Sequence, residues 1–267
     1  MEKKFIIVLV ALCVICIAAA NAVTYRYEGN GAWENASITE GWTADNGATH
    51  PGVLPGAVDE ARFNWGGATV TVSTAVPTVF RVYPGCDEPG NLTVHNGGVV
   101  TMTDCLMMAV GGTPNTGSTL TVEAGGTVTA GGHLWVAENA ASTGTVNISG
   151  TVSIGGILGL GSVGFGNGGA GYLNVLNGGV VNLTNIHGDL VNLPPIHPGS
   201  LLSVSGTGKV TLPGDFINVV QAYIDAGRIS GVVGWDPVNE MTVITVPEPV
   251  SISLLGLGAL ALLRKRS

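Results

Sequence analysis

Charge is scarce in this chain, and positive charge is the scarcer sign. Only 10% of the 267 residues are charged, with 10 Lys and Arg against 18 Asp and Glu. The net charge of −8 would repel phosphate groups, so nucleic acid is excluded as a partner. Aromatic residues are also sparse, at 6% of the sequence. The chain therefore has few of the charged and aromatic side chains that soluble enzymes use in their active sites.

Metal and cofactor motifs are lacking as well. The five histidines are dispersed and show none of the tight spacings of metal-ligand motifs. Residues 159–164 match G-x-G-x-x-G, but the Phe-Gly-Asn-Gly-Gly run that follows cannot form the helix that a dinucleotide site requires. No G-x-S-x-G nucleophile motif occurs. We therefore predict no metal site, no cofactor and no catalytic residue.

Acidic residues in the central part of the chain are few and separated. Between residues 68 and 212 the acidic residues are Asp87, Glu88, Asp104, Glu123, Glu138 and Asp189, and the cations are Arg81 and Lys209. Glycoside hydrolysis needs two carboxyl groups in one cleft, and lyase chemistry needs a base with a neutralising cation. A β-helical polysaccharide lyase or hydrolase is the enzymatic alternative, and it requires several carboxylates to converge in one groove.

Glycine and aliphatic residues are abundant instead. The chain has 42 glycines, and 45% of its residues are hydrophobic. The glycines do not fall at every third position, which excludes collagen, and the hydrophobic fraction argues against long-range disorder. An all-β protein with glycine-rich turns is the class that this composition favours.

Self-similar segments predict the fold. They begin at Leu92, Leu120, Val146, Leu173 and Leu202, which are 28, 26, 27 and 29 residues apart. Each unit contains two short alternating strands around a glycine turn, followed by a third apolar segment. Three such strands form one coil of a solenoid. The prediction is a right-handed parallel β-helix of about five to six coils over residues 68–212, with a β-sandwich as the alternative.

Register within the repeats predicts which residues meet. Leu92, Leu120 and Leu173 should point inward and stack in one column, because alternate residues of a strand face opposite sides. His95 and Glu123 occupy equivalent positions, so an exposed ion pair between adjacent coils is expected there. The Gly-Gly pairs between the strands should supply corner conformations with positive φ.

Both ends of the solenoid need caps. Residues 23–67 contain six of the fifteen aromatic residues and are the predicted N-terminal cap. Residues 213–246 are the predicted C-terminal cap, with a helix at about 216–226 and a final pair of strands. In that helix Asp215 is the expected N-cap, and Gly227 follows the C-terminus.

The beginning of the chain is typical of a secretory signal peptide. Two lysines precede an apolar run, and the small residues Ala20 and Ala22 form an A-x-A cleavage pattern. Residues 1–22 are therefore predicted to be removed by signal peptidase. Export would favour a disulfide between Cys86 and Cys105, but their different positions in the repeat argue against it, so the question stays open.

The end of the chain combines three features. Val246, Pro247, Glu248 and Pro249 precede an apolar stretch at 250–263, and Arg264, Lys265 and Arg266 form a basic cluster after it. Fourteen helical residues reach about 21 Å, short of the roughly 30 Å bilayer core. Transient membrane insertion through 250–263 is expected, with the basic cluster as its cytoplasmic stop.

This order of features resembles the PEP-CTERM sorting signal of Gram-negative bacteria, over residues 247–267. The resemblance implies cleavage by exosortase near residues 247–249 and export to the cell envelope or extracellular matrix of a bacterium that makes exopolysaccharide. The repeat body is similar to secreted PEP-CTERM proteins with autotransporter-type or pectin-lyase-like repeats. The expected function is a non-enzymatic structural or adhesive role, with exopolysaccharide or other envelope components as partners.

Overall fold

The computed structural model describes residues 22–37, 39, 41–44, 50–111, 114–161, 168–186 and 196–246. Within these residues it contains nineteen strands and one helix. The strands are β1 (Thr24–Ala32), β2 (Gly41–Thr43), β3 (Glu60–Val72), β4 (Arg81–Pro84), β5 (Asn91–Val94), β6 (Val99–Met102), β7 (Leu106–Met108), β8 (Thr116–Val122), β9 (Thr127–Ala130), β10 (Leu134–Val136), β11 (Thr143–Ile148), β12 (Thr151–Leu160), β13 (Ala170–Val175), β14 (Val180–Asn185), β15 (Leu201–Val204), β16 (Lys209–Pro213), β17 (Ile229–Ser230), β18 (Val232–Asp236) and β19 (Met241–Thr245). The helix, α1, spans Ile217–Asp225.

The strands form three parallel stacks, and successive coils contribute strands to each. Stack 1 contains the end of β1, the second half of β3, and β5, β8, β11, β13, β15 and β17. Stack 2 contains β6, β9, the first half of β12, β14 and β16. Stack 3 contains the beginning of β1, the first half of β3, β4, β7, β10 and the second half of β12. The predicted parallel β-helix is confirmed, and the β-sandwich is wrong.

The interior consists of continuous columns of aliphatic side chains. In stack 1, Leu92 is in register with Leu120, Leu120 with Val146, and Val146 with Leu173. These four residues are all fully buried. Burying a side chain of this size contributes about 1.5–3 kcal/mol, so each coil stabilises its neighbours through the shared column. The predicted stacking of Leu92, Leu120 and Leu173 is therefore confirmed.

The glycine pairs between stacks 1 and 2 have two separate roles. The first glycine of a pair has positive φ, as at Gly97 (+83°) and Gly125 (+82°), which confirms the expected corner conformation. The second glycine has ordinary φ but lies against the preceding coil. A Cβ on Gly126 would stand only 2.6 Å from the carbonyl oxygen of Val94. The second position therefore needs glycine for close approach of the backbone.

An aromatic cluster covers the N-terminal end of the solenoid. The Trp33 and Trp42 rings lie 5.1 Å apart, and the Trp42 and Phe63 rings lie 5.5 Å apart. The indole N–H of Trp42 donates to the carbonyl oxygen of Trp33 at 2.8 Å. All three side chains are essentially fully buried and belong to the main core. The rings thus extend the aliphatic interior beyond the first coil.

The C-terminal end is covered by α1 and a hairpin. The helix begins one residue later than predicted, because its N-cap is Phe216 and not Asp215. The Phe216 N–H donates to the Thr242 hydroxyl at 2.8 Å, while the Asp215 carboxylate accepts the Ile217 N–H at 3.1 Å. The helix ends in a Schellman motif with Gly227 at φ +69°, so the predicted place of Gly227 after the C-terminus is confirmed.

The last two strands close the open edge of stack 2. β18 and β19 form an antiparallel hairpin, and β19 also pairs antiparallel with β16. In the part of the chain that the structure describes, no helix is long and apolar enough to cross a membrane. The predicted membrane segment at 250–263 and residues 1–21 lie outside the described residues.

Candidate functional site

The outer faces of stacks 1 and 2 carry short polar side chains in ladders. In stack 1, the Ser203 hydroxyl donates to Asn174 at 2.8 Å, and the Asn174 amide donates to Asn147 at 2.9 Å. In stack 2, the Thr211 hydroxyl donates to Asn182 at 2.9 Å. These bonds join side chains of successive coils, so each face presents hydroxyl and amide groups at the spacing of the coils.

The outer face of stack 3 is chemically different. Its strands bury Ala61, Val82, Leu106 and Leu134, so the alternate residues project outward. We call these outward residues, with the neighbouring Asp104, the stack 3 strip: Glu60, Arg62, Arg81, Tyr83, Asp104, Cys105, Met107, His133 and Trp135. The strip combines charged, aromatic and sulfur-containing side chains, of which Tyr83 and Cys105 are buried beneath their neighbours. The other two faces carry mainly Thr, Ser, Asn and Val.

Ion pairs connect three successive coils at one end of the strip. Arg81 contacts Asp104 at 2.6 Å on one side and Glu60 at 3.8 Å on the other. Arg62 contacts the second oxygen of Glu60 at 2.7 Å. The Tyr83 hydroxyl donates to Glu60 at 3.2 Å, beneath the Arg62 guanidinium, which lies 4.8 Å from the ring centre. Two arginines and two carboxylates thus form one balanced network.

Burial and the contacts of the network together set the protonation of its members. Burial alone would raise the pKa of Asp104, but hydrogen bonds from Cys105 and Arg81 and the charge of Arg81 hold it below its ordinary value. Burial raises the pKa of Tyr83, so its hydroxyl stays protonated and able to donate. Asp104 therefore remains an ionised acceptor at neutral pH, which is the state that the arginine pairing requires.

Two aromatic rings occupy the other end of the strip. The His133 and Trp135 rings lie 4.9 Å apart with an interplanar angle of 39°. Nδ1 of His133 accepts the Ile157 N–H at 2.8 Å, which fixes the ring and leaves the Nε2 position for its proton when it is neutral. Both side chains are partly exposed. They form a small aromatic platform at the surface.

The other residues singled out in the sequence are dispersed. His95 Nδ1 and Glu123 Oε2 lie 2.9 Å apart, in the contact that the repeat register predicted, and both side chains are exposed. Glu138 is buried at the corner after β10, where burial raises its pKa, and Asp87 has positive φ in a turn. Within the described residues, no three His, Cys, Asp or Glu side chains are grouped as a metal site would require.

The two cysteines within the described residues, Cys86 and Cys105, are free thiols in the structure. Cys105 precedes Leu106, which faces Val82, whereas Cys86 lies beyond the Gly85 corner and faces Val110. Burial raises the pKa of each thiol to about 11. Neither thiol is activated as a nucleophile at neutral pH.

The predicted processing residues lie at the borders of the fold. Ala22 is exposed and precedes β1, and Val246 follows β19 and packs against the core. The remaining residues of the two predicted signals lie outside the described residues: Ala20, Pro247, Glu248, Pro249, Arg264, Lys265 and Arg266.

The fold and its surface define a capped parallel β-helix with one chemically distinct face. Comparison of the chain with protein-family models, curated proteins and solved structures finds no match. The stack 3 strip was not predicted, because Glu60 lies in the segment predicted as the N-terminal cap, outside the repeats whose spacing gives the register. The alternate residues of the third segment in each repeat, such as Arg81 and Tyr83, were the signal that would have revealed it.

Proposed function

We propose that this protein is exported, processed by exosortase, and serves a structural or adhesive role in the cell envelope or extracellular matrix. In this role it associates with exopolysaccharide or other envelope components. The observation that carries the proposal is the ladder of hydroxyl and amide groups on stacks 1 and 2. Such groups donate and accept hydrogen bonds without net charge, as a polymer rich in hydroxyl groups requires.

The position of the processing signals supports the export part of this proposal. The predicted signal peptide ends at Ala22, two residues before β1, and the Pro-Glu-Pro sequence begins two residues after β19. Removing 1–22 and 247–267 would leave the described strands and α1 in place. The remaining segment, 23–246, carries five Lys and Arg and sixteen Asp and Glu, a net charge of 5 − 16 = −11 that favours solubility.

Deletion of residues 247–267 tests the sorting proposal in the bacterium that makes the protein. The wild type should be shortened and recovered from the envelope or matrix fraction. The deletion variant should not be processed by exosortase, and it should no longer be recovered from the envelope or matrix fraction. A Val238→Ala variant serves as the matched control, because Val238 is an exposed turn residue outside the signal. Unchanged processing and location of the deletion variant would refute the proposal.

A second candidate is a β-helical polysaccharide lyase or hydrolase. It is favoured by one observation, the contact of both Glu60 and Asp104 with Arg81 on a single face. Hydrolysis needs one protonated carboxyl group, and the lowered pKa of Asp104 works against that role. Depolymerisation of polygalacturonate or a neutral glucan by the purified protein, abolished by Glu60→Gln, would support this candidate over a structural role.

A further inference from the structure

The stack 3 strip has the composition of a binding surface. Its aromatic platform of His133 and Trp135 is partly exposed. Met107, in the preceding coil, is in register with Trp135. A flat ring offers the apolar C–H face of a sugar a broad contact, while nearby polar groups orient the hydroxyls. Two aromatic rings in contact and charged groups are found together on this face, whereas β13 of stack 1 carries a single exposed aromatic side chain, Tyr172, beside its polar ladder.

Charge on the strip favours an uncharged ligand. Arg62 and Arg81 are already paired with Glu60 and Asp104, so the four charges sum to 2 − 2 = 0. An anionic polymer would have to displace these carboxylates, and it would approach a segment whose net charge is −11. Paired guanidinium and carboxylate groups still offer donors and acceptors to hydroxyl groups.

The strip is also linear. Its members stand in two columns that run from β3 through β4 and β7 to β10. Adjacent coils lie about 4.8 Å apart, so four strands cover roughly 15 Å along the solenoid axis. A short run of sugar residues laid along the axis would meet the ion-pair network at one end and the platform at the other.

We propose that the stack 3 strip binds a neutral glycan chain lying along the solenoid axis. The proposal rests on the polysaccharide association proposed above and adds to the ladders of stacks 1 and 2 a separate binding surface on stack 3. Trp135 supplies the stacking surface, and Arg81 with its two carboxylates supplies the hydrogen bonds to hydroxyl groups.

Affinity electrophoresis of the purified full chain tests this assignment. Native gels would contain a neutral β-glucan, a neutral galactomannan or, as the anionic comparison, polygalacturonate. The wild type should be retarded by at least one neutral glycan and not by polygalacturonate. Trp135→Ala should need about ten times more glycan to reach the same retardation. Trp135→Phe should need nearly the same amount as the wild type. Trp235→Ala is the matched control, because Trp235 is an exposed tryptophan on β18.

Circular dichroism would establish that the variants are folded. The proposal is overturned if no neutral glycan retards the wild type, if only polygalacturonate does, or if Trp135→Ala and Trp235→Ala behave alike. Failure here is distinguishable from failure of the proposed function, which is measured by processing and fractionation of the 247–267 deletion. If the wild type is correctly sorted and Trp135→Ala does not change glycan retardation, the proposed function stands and the proposed binding site is wrong.

Discussion

At the scale of single residues, the corners after β5, β8 and β13 each contain two glycines with different roles. Gly125 provides a backbone conformation with φ of +82°, and Gly126 allows the next coil to approach. A side chain at either position is unfavourable, but for different reasons: backbone strain at the first, and collision at the second. Glycine is therefore abundant in this chain because the coils repeat both requirements.

Alanine at Gly126 should lower stability through that collision. Its Cβ would stand 2.6, 3.0 and 3.1 Å from three backbone carbonyl oxygens, which cannot move as a flexible side chain would. We expect a loss of about 1–3 kcal/mol in the free energy of unfolding, measured by urea denaturation. Gly234→Ala is the control, because Gly234 is exposed with open space around it and should change stability by less than about 1 kcal/mol. Equal effects of both variants would contradict the explanation.

Glu138 should make the stability of the protein depend on pH. Its side chain is buried, and burial raises its pKa above the ordinary value of 4.5. Between the unfolded value and the raised folded value, the native state binds more protons, so this residue lowers stability as pH rises through that interval. Replacing it with Gln should remove this contribution and stabilise the protein at pH 7 relative to pH 4.

Urea unfolding of the wild type and Glu138→Gln at a series of pH values from 4 to 8 would measure this effect. The difference in the free energy of unfolding between the two proteins isolates the effect of Glu138. Residues such as Asp104, whose pKa is lowered, make stability rise with pH in both proteins and so cancel in the difference. A constant difference across the whole range would show that the variant acts through packing and not through titration.

At the scale of the elements, the strands illustrate what sequence could and could not predict. The stack 1 column was predictable because Leu92, Leu120 and Leu173 recur at nearly constant spacing within similar segments. The start of α1 was not, because Phe216 is held by a bond to Thr242, a residue 26 positions away. The Arg81 contact with Glu60 was not predictable either, because Glu60 lies before the first recognised repeat and so had no register to compare.

Truncation of an inward side chain should be far more costly than truncation of its outward neighbour. Leu120 is fully buried between Leu92 and Val146, so Leu120→Ala should destabilise the protein by about 2–5 kcal/mol. Thr121, next in the same strand, faces outward, and Thr121→Ala should change stability by at most about 0.5 kcal/mol. The midpoint of urea unfolding, followed by circular dichroism, compares the two variants. Similar midpoints would mean that the column does not carry the stability of the stack.

At the scale of the whole molecule, a solenoid is stabilised by contacts between neighbouring coils and is vulnerable at its two ends. Cys86 and Cys105 are free, so they do not cross-link the coils of the described fold. Stacking must therefore supply the cohesion, and each end needs a cover over its last strand edge. At the N-terminus this cover is the aromatic cluster, and at the C-terminus it is α1 with the β18–β19 hairpin.

Opening the C-terminal cover should turn the solenoid end into an association surface. Ile244 is fully buried in β19 opposite Val210 of β16, so Ile244→Asp would place an unpaired charge there and release the hairpin. The uncovered edge of β16 could then pair with another chain. Sedimentation velocity should show concentration-dependent assembly beyond that of the wild type. Thr245→Asp, at the adjacent and less buried position, should sediment like the wild type. If Ile244→Asp lowers the unfolding midpoint but leaves the sedimentation unchanged, then the hairpin stabilises the last coil without protecting its edge.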